Sequence, residues 1–197
     1  MVKTFCLTVL VIVAVALISM PSTALAANLL SDPGFETGSG WANWGDSEYT
    51  TGTKLGGSQS GHAWTWLNAD GKFEQTINVT PGTSYKASGY LKSTGLATGS
   101  AWIQFQWDGA GTAVESAKLT TADTDWTLFE TPSAVAPTGV TTAKIAYVLS
   151  APGNQSANDV FFDNASFDAQ AVPEPASLLL LGSGLVGLFG LRKRTAK

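Results

Sequence analysis

The chain has 197 residues, a formal net charge of −4, and 13% charged residues against 44% hydrophobic ones. Residues 27–172 hold fourteen Asp and Glu, six Lys, and no Cys, Met or Arg, a net charge of −8. Such a segment is unsuited to nucleic acid, whose phosphates are held by Lys and Arg, so no nucleic-acid partner is expected. The only cysteine is Cys6 and the only histidine is His62, which excludes a disulfide framework, a thiolate zinc site and a His-rich metal site.

In chain order, residues 1–26 read as a secretory signal peptide. Lys3 supplies the positive start and residues 7–20 form an apolar run. Ala24-Leu25-Ala26 then offers a small-x-small cleavage site, with Ala24 and Ala26 as its small residues. The run is short for a membrane span, which needs roughly 17–25 residues. An uncleaved N-terminal anchor is the alternative.

Residues 27–168 show no helical period. Short alternating segments are predicted as strands at 62–67, 73–79, 85–91, 102–107, 126–131, 142–149 and 160–167. Turn residues separate them: Asp70-Gly71, Pro81-Gly82, Asp108-Gly109, Pro137 and Pro152-Gly153. Many short strands in one domain-sized segment predict an all-β fold, a single jelly-roll β-sandwich.

Three segments carry a family resemblance. Asn28-Leu29-Leu30 with Pro33-Gly34-Phe35-Glu36, residues 73–85, and Val160-Phe161-Phe162-Asp163-Asn164-Ala165-Ser166-Phe167 occur in that order. The set resembles galactose-binding-like jelly rolls, including carbohydrate-binding modules. The resemblance implies a structural Ca²⁺ shared by the first and last strands, with Glu36 and Asp163 as metal ligands. Backbone carbonyls near residues 58–61 would complete the set, since Ca²⁺ takes oxygen ligands. Asn164 stands where many members have a second Asp. The alternative is that Glu36 and Asp163 only accept hydrogen bonds in a strand-end network.

Catalysis has little to build on. A Ser-His-Asp arrangement would need His62 as its base, and no nucleophile elbow accompanies it. A glycosidase needs two carboxyl groups placed across a cleft, but Asp70, Asp108, Asp123 and Asp125 flank turns and read as turn-formers. No catalytic residue is assigned, and the chain reads as a non-enzyme.

Binding has more support. In residues 101–108, alternation places Ile103, Phe105 and Trp107 on one face and Trp102, Gln104 and Gln106 on the other. An aromatic ring beside two amides suits a sugar, covering its C–H surface while pairing its hydroxyls. Tyr85, Ala87, Gly89 and Leu91 would face inward, leaving Tyr90 outward with Lys86, Ser88 and Lys92. If the two strands are neighbours, Tyr90 and Trp102 line one groove. Trp64, Trp66 and Trp126 read as core residues, and Trp41 and Trp44 as loop-tip binders or a lid over the core.

Residues 169–172 read as a linker to the C-terminal region, 173–197. There Pro173-Glu174-Pro175 precedes an apolar, Gly-rich stretch at about 176–191, and Arg192-Lys193-Arg194 follow. The stretch predicts a transmembrane helix, though at roughly 1.5 Å per residue it reaches only about 24 Å, a marginal span. Basic residues at its end would stay cytoplasmic, leaving the preceding domain outside. The three-part order resembles the PEP-CTERM sorting signal of Gram-negative bacteria. That resemblance implies processing by an exosortase-type membrane enzyme, transient anchoring in the inner membrane, and release to the cell surface or extracellular matrix. An ordinary C-terminal anchor is the alternative.

Together these readings predict an exported, non-catalytic module that binds extracellular polysaccharide. The alternatives are a structural matrix or surface protein working through protein–protein contacts, and a polysaccharide-processing enzyme.

Overall fold

The computed structural model describes residues 27–67, 70–151 and 154–170. The signal peptide, its Ala24 and Ala26 cleavage site, and the C-terminal sorting segment lie outside the described residues.

Two antiparallel sheets pack face to face. One has five strands: β1 (Ala42–Trp44), β4 (Gly71–Asn78), β10 (Thr142–Ser150), β6 (Ser100–Trp107) and β7 (Ala110–Glu115), in that spatial order. The other runs β2 (Ser47–Thr50), β3 (Ser60–Leu67), β11 (Asn154–Ala169), β5 (Ser84–Leu96) and β8 (Asp123–Glu130), with β9 (Ala134–Val135) also on β5. The fold is the all-β sandwich that the sequence predicts, and each predicted strand overlaps an observed one.

Alternation places the core. In β5, Tyr85, Ala87, Gly89 and Leu91 are buried between the sheets while Lys86, Ser88, Tyr90 and Lys92 are half-buried on the outer side. In β6 the buried residues are Ala101, Ile103, Phe105 and Trp107. Fully buried Phe35, Phe73, Phe105, Tyr147, Phe162 and Phe167 fill the middle in edge-on contacts. Each such side chain stabilises the fold by roughly 1.5–3 kcal/mol. Tyr147 needs a partner for its hydroxyl, which donates to Ser88 O at 2.5 Å. It also needs space at Gly89, where a β-carbon would stand 2.6 Å from the ring.

The two ends of the described segment meet. The Asn28 side chain donates to Ala165 O and accepts from Phe167 N, and Gln170 N donates to Ser84 O. Residues 26–170 form one compact unit whose core lies wholly inside it, so this segment has what it needs to fold alone.

Several tryptophans depart from the sequence reading. Trp64 is half-buried on the outer side, because Ala63 and Thr65 take the inward positions of β3. Trp126 is also half-buried and outside the core, on the alternation that leaves Leu128 exposed. Trp41 is a lid over the core: it is buried, stacks on Phe35 at 4.9 Å and donates from Nε1 to Asp32 O. Trp44 remains 56% exposed. The Trp66 side chain lies outside the described residues.

Candidate functional site

The outer face of the five-stranded sheet is built in register from short and long side chains. On central β10 the outward residues are Thr142, Lys144, Ala146 and Val148, because Ala143, Ile145, Tyr147 and Leu149 belong to the core. Val148 pairs with Lys72 of β4 and Trp102 of β6; Ala146 pairs with Glu74 and Gln104; Lys144 pairs with Thr76 and Gln106. Ala146 and Val148 are buried although they lie outside the core cluster. Longer neighbours on β4 and β6 therefore stand over them, and the small residues form the floor of a trough along β10.

The walls differ. On β4, Lys72 Nζ pairs with Glu74 Oε1 at 3.0 Å. On β6, Trp102 Nε1 donates to Gln104 Oε1 at 2.8 Å, and Gln106 Nε2 donates to Gly111 O at 3.1 Å. Lys118 Nζ sits 4.0 Å from the centre of the Trp102 ring and 3.5 Å from Glu115 Oε2. Trp102 is thus fixed at its N–H edge and on one face. Trp44, opposite Lys72 on β1, ends the Val148 row on the other side. Three strand spacings separate the two tryptophans, roughly 14 Å.

Three of the four predicted ligand residues, Trp102, Gln104 and Gln106, share this face. Tyr90 does not. It faces outward from β5 in the other sheet, paired with Leu128 and Asp163. The expected groove between Tyr90 and Trp102 is therefore absent. β5 and β6 follow each other in the chain, but the chain crosses between sheets from one to the other. Sequence reasoning missed Lys72, Glu74, Lys144 and the Ala146–Val148 floor. The alternation of residues 142–149 was visible, but only strand order shows that β10 lies between β4 and β6.

Glu36 and Asp163 are brought together by the loop at 51–59. Asp163 Oδ2 accepts from Leu55 N and Gly56 N at 2.7 and 3.2 Å, and its Oδ1 accepts from Asn164 N at 2.7 Å. Glu36 Oε2 accepts from Ser58 N, Ser58 Oγ and Gln59 N. The strand-end hydrogen-bond network foreseen as the alternative to calcium is therefore present. The Ser58 hydroxyl and N–H hold the half-buried Glu36 carboxyl below its ordinary range. Burial pushes Asp163 above its ordinary range against the pull of its N–H donors, and the nearby Glu36 charge adds to the rise.

A hard cation here would need oxygen ligands, and the pair supplies carboxylates of which only Glu36 Oε1 is without a hydrogen bond among the described residues. That oxygen packs against Gly57, whose φ is +58°. A β-carbon at Gly57 would overlap the Glu36 carboxylate. In the expected carbonyl region, the N–H groups of Ser58 and Gln59 point at Glu36. Among the described residues no group of three or more His, Cys, Asp and Glu gathers to hold a metal.

His62 lies elsewhere, on the outer face of the six-stranded sheet. It stacks on Phe161 at 4.5 Å, with Nε2 2.8 Å from Asp159 Oδ1 and Nδ1 3.4 Å from Glu48 Oε1.

Comparison with known proteins gives two findings. Residues 171–194 match the PEP-CTERM protein-sorting motif, which marks the chain for export and membrane-anchored sorting. This stretch includes Pro173, Glu174, Pro175, Arg192, Lys193 and Arg194. No protein of curated function matches the sequence. The fold is similar to TmCBM61, solved in complex with β-1,4-galactotriose, at a TM-score of 0.56 and 17% identity over 74% of this chain and all of that one. It is also similar to the CBM22-1 xylan-binding domain of Paenibacillus barcinonensis Xyn10C, at a TM-score of 0.57 and 16% identity over 75% of this chain and 97% of that one. Part of an enzyme shares it too. The enzymatically active domain of bacteriophage CBA120 tailspike protein 4 matches at a TM-score of 0.56 and 18% identity, over 73% of this chain and 21% of that one.

Proposed function

We propose that the sandwich is a non-catalytic polysaccharide-binding module, displayed at the cell surface or in the extracellular matrix after exosortase processing of its PEP-CTERM motif. The observation that carries this reading is the trough along β10. Its floor is apolar and narrow, its β6 wall presents an immobilised indole, and its rims carry amides, a hydroxyl and charged groups. Sugars present that mixture, with C–H faces that lie on aromatic and aliphatic surface and hydroxyls that pair with amides and carboxylates. Trp102 contributes the ring face that Lys118 leaves open. Gln104 contributes its amide N–H groups, since its carbonyl is taken by the indole. Gln106 keeps its carbonyl and one N–H, and Glu74 is the carboxylate acceptor.

The sandwich neighbours solved with a galactan fragment or described as xylan-binding support the same reading. Tyr90 is excluded from this site by its place in the other sheet. Glu36 and Asp163 would hold a Ca²⁺ of structural use. It would offset the repulsion between the two carboxylates and pin the 51–59 loop to β11.

The test is binding of segment 27–170 to a panel of neutral and acidic polysaccharides, with and without Trp102→Ala. Binding is expected for at least one glycan, and the substitution should weaken it about tenfold while leaving the folded state intact. A folded domain that binds nothing on the panel overturns the reading in favour of a structural role. Unchanged binding by the variant removes Trp102 from the site.

A further inference from the structure

The charges of the trough are unevenly matched. Its outer face carries three of the six lysines of residues 27–172: Lys72, Lys118 and Lys144. Two have carboxylate partners, Lys72 with Glu74 and Lys118 with Glu115. Lys144 has none among the described residues, although the segment carries fourteen carboxylates. It is exposed on the central strand, in line with the floor residues Ala146 and Val148. Two shallow depressions of the sheet surface share it, one lined with Gln106, Trp107 and Asp108, the other with Ala42, Trp44 and Glu74. Asp108, the acid in the first depression, accepts from the Thr142 hydroxyl at 3.2 Å.

We propose that the trough takes an acidic polysaccharide and that Lys144 receives a uronate carboxylate. This deepens the reading of the trough as a glycan site and rests on it. The cross-strand neighbours of Lys144 are Thr76 and Gln106, so an ammonium, a hydroxyl and an amide N–H lie in one row across three strands. That row has the donors for both oxygens of a carboxylate, and a charge-assisted hydrogen bond is about twice as strong as a neutral one. A neutral sugar would leave the ammonium without a counter-charge. Four residues along β6, roughly 13 Å, separate Gln106 from Trp102, so one chain can reach both. The surrounding charge of −8 opposes a polyanion at long range, and salt screens that repulsion over about 8–10 Å. Of the carboxylates near the row, Glu74 and Glu115 are already paired with lysines, and Asp108 accepts from the Thr142 hydroxyl and has no lysine partner among the described residues.

The test compares oligogalacturonates with their methyl esters, which keep the sugar backbone and remove the charge. β-1,4-galactan fragments serve as a neutral control. With segment 27–170, the acids are expected to bind about tenfold more tightly than the esters. Lys144→Gln should erase that difference, and Lys144→Glu should reverse it. Equal binding of acid and ester, or an acid preference that survives Lys144→Gln, overturns the inference. Binding of the neutral control alone also overturns it while leaving the glycan site standing. Binding of nothing, by a folded domain, overturns both.

Discussion

The outer faces of the two sheets are made by the same alternation, yet one is open and the other is covered. On the five-stranded sheet, Ala146 and Val148 keep the central strand low, and the long residues of β4 and β6 rise beside it. On the six-stranded sheet, central β11 presents Phe161 and Asp163 outward, both large enough or polar enough to need cover. His62 stacks on Phe161, and the 51–59 loop donates its N–H groups to Asp163. Residue size on the central strand therefore decides which face becomes a groove. Polarity there decides which face needs a strap.

The largest effect is expected from removing what holds the strap. Asp163→Ala leaves the N–H groups of Leu55, Gly56 and Asn164 without their acceptor. Partly compensated by water, the loss should reach roughly 2–4 kcal/mol. Denaturant unfolding of segment 27–170 measures it. A loss under about 0.5 kcal/mol would show that the loop is held by other contacts.

The second change fills the trough and leaves the strap alone. Ala146→Trp raises the floor between Glu74 and Gln104, its cross-strand neighbours. Glycan binding should fall at least tenfold, while stability drops by about 1–3 kcal/mol, because Ala146 is buried under those neighbours and the indole must displace them. Retained binding in a folded variant would place the ligand elsewhere on the molecule.

The sequence made the core faces legible because alternation is a local signal. Tyr85, Ala87 and Leu91 are inward, as are Ile103, Phe105 and Trp107, just where period two puts them. β1, β2, β7 and β9 are not in the predicted set. They are two to six residues long and lie at sheet edges or beside β5, where half the backbone is unpaired and little apolar patterning is required. Trp64 misleads for a different reason. A tryptophan in a strand suggests core, but inward-facing Gly61, Ala63 and Thr65 are small because Phe35 and Phe73 press against that part of β3. His62 and Trp64 consequently point out. The site was legible one strand at a time. Trp102, Gln104 and Gln106 share a face by local alternation, whereas Lys144, Ala146 and the exclusion of Tyr90 depend on which strands are neighbours, a property of distant pairings.

The finest test uses the opposite displacements of the two strap carboxyls. Glu36 is held low by Ser58, so its contribution to stability is complete above the ordinary carboxyl range and is lost as pH falls through its lowered value. Asp163 is held high by burial, so its charged form costs stability at neutral pH, and that cost disappears as pH falls through the raised value. Acidification from neutral should therefore first raise the melting temperature slightly and then lower it. Ca²⁺ held between the carboxylates would compete with the proton at Asp163 and cancel the first phase. Its stabilising increment should be greatest near neutral pH and shrink in mild acid, and Asp163→Asn should remove both the increment and the initial rise. Thermal melts with Ca²⁺ or chelator across this range decide the matter. An increment independent of pH, or one that survives Asp163→Asn, would place the ion somewhere other than the strap.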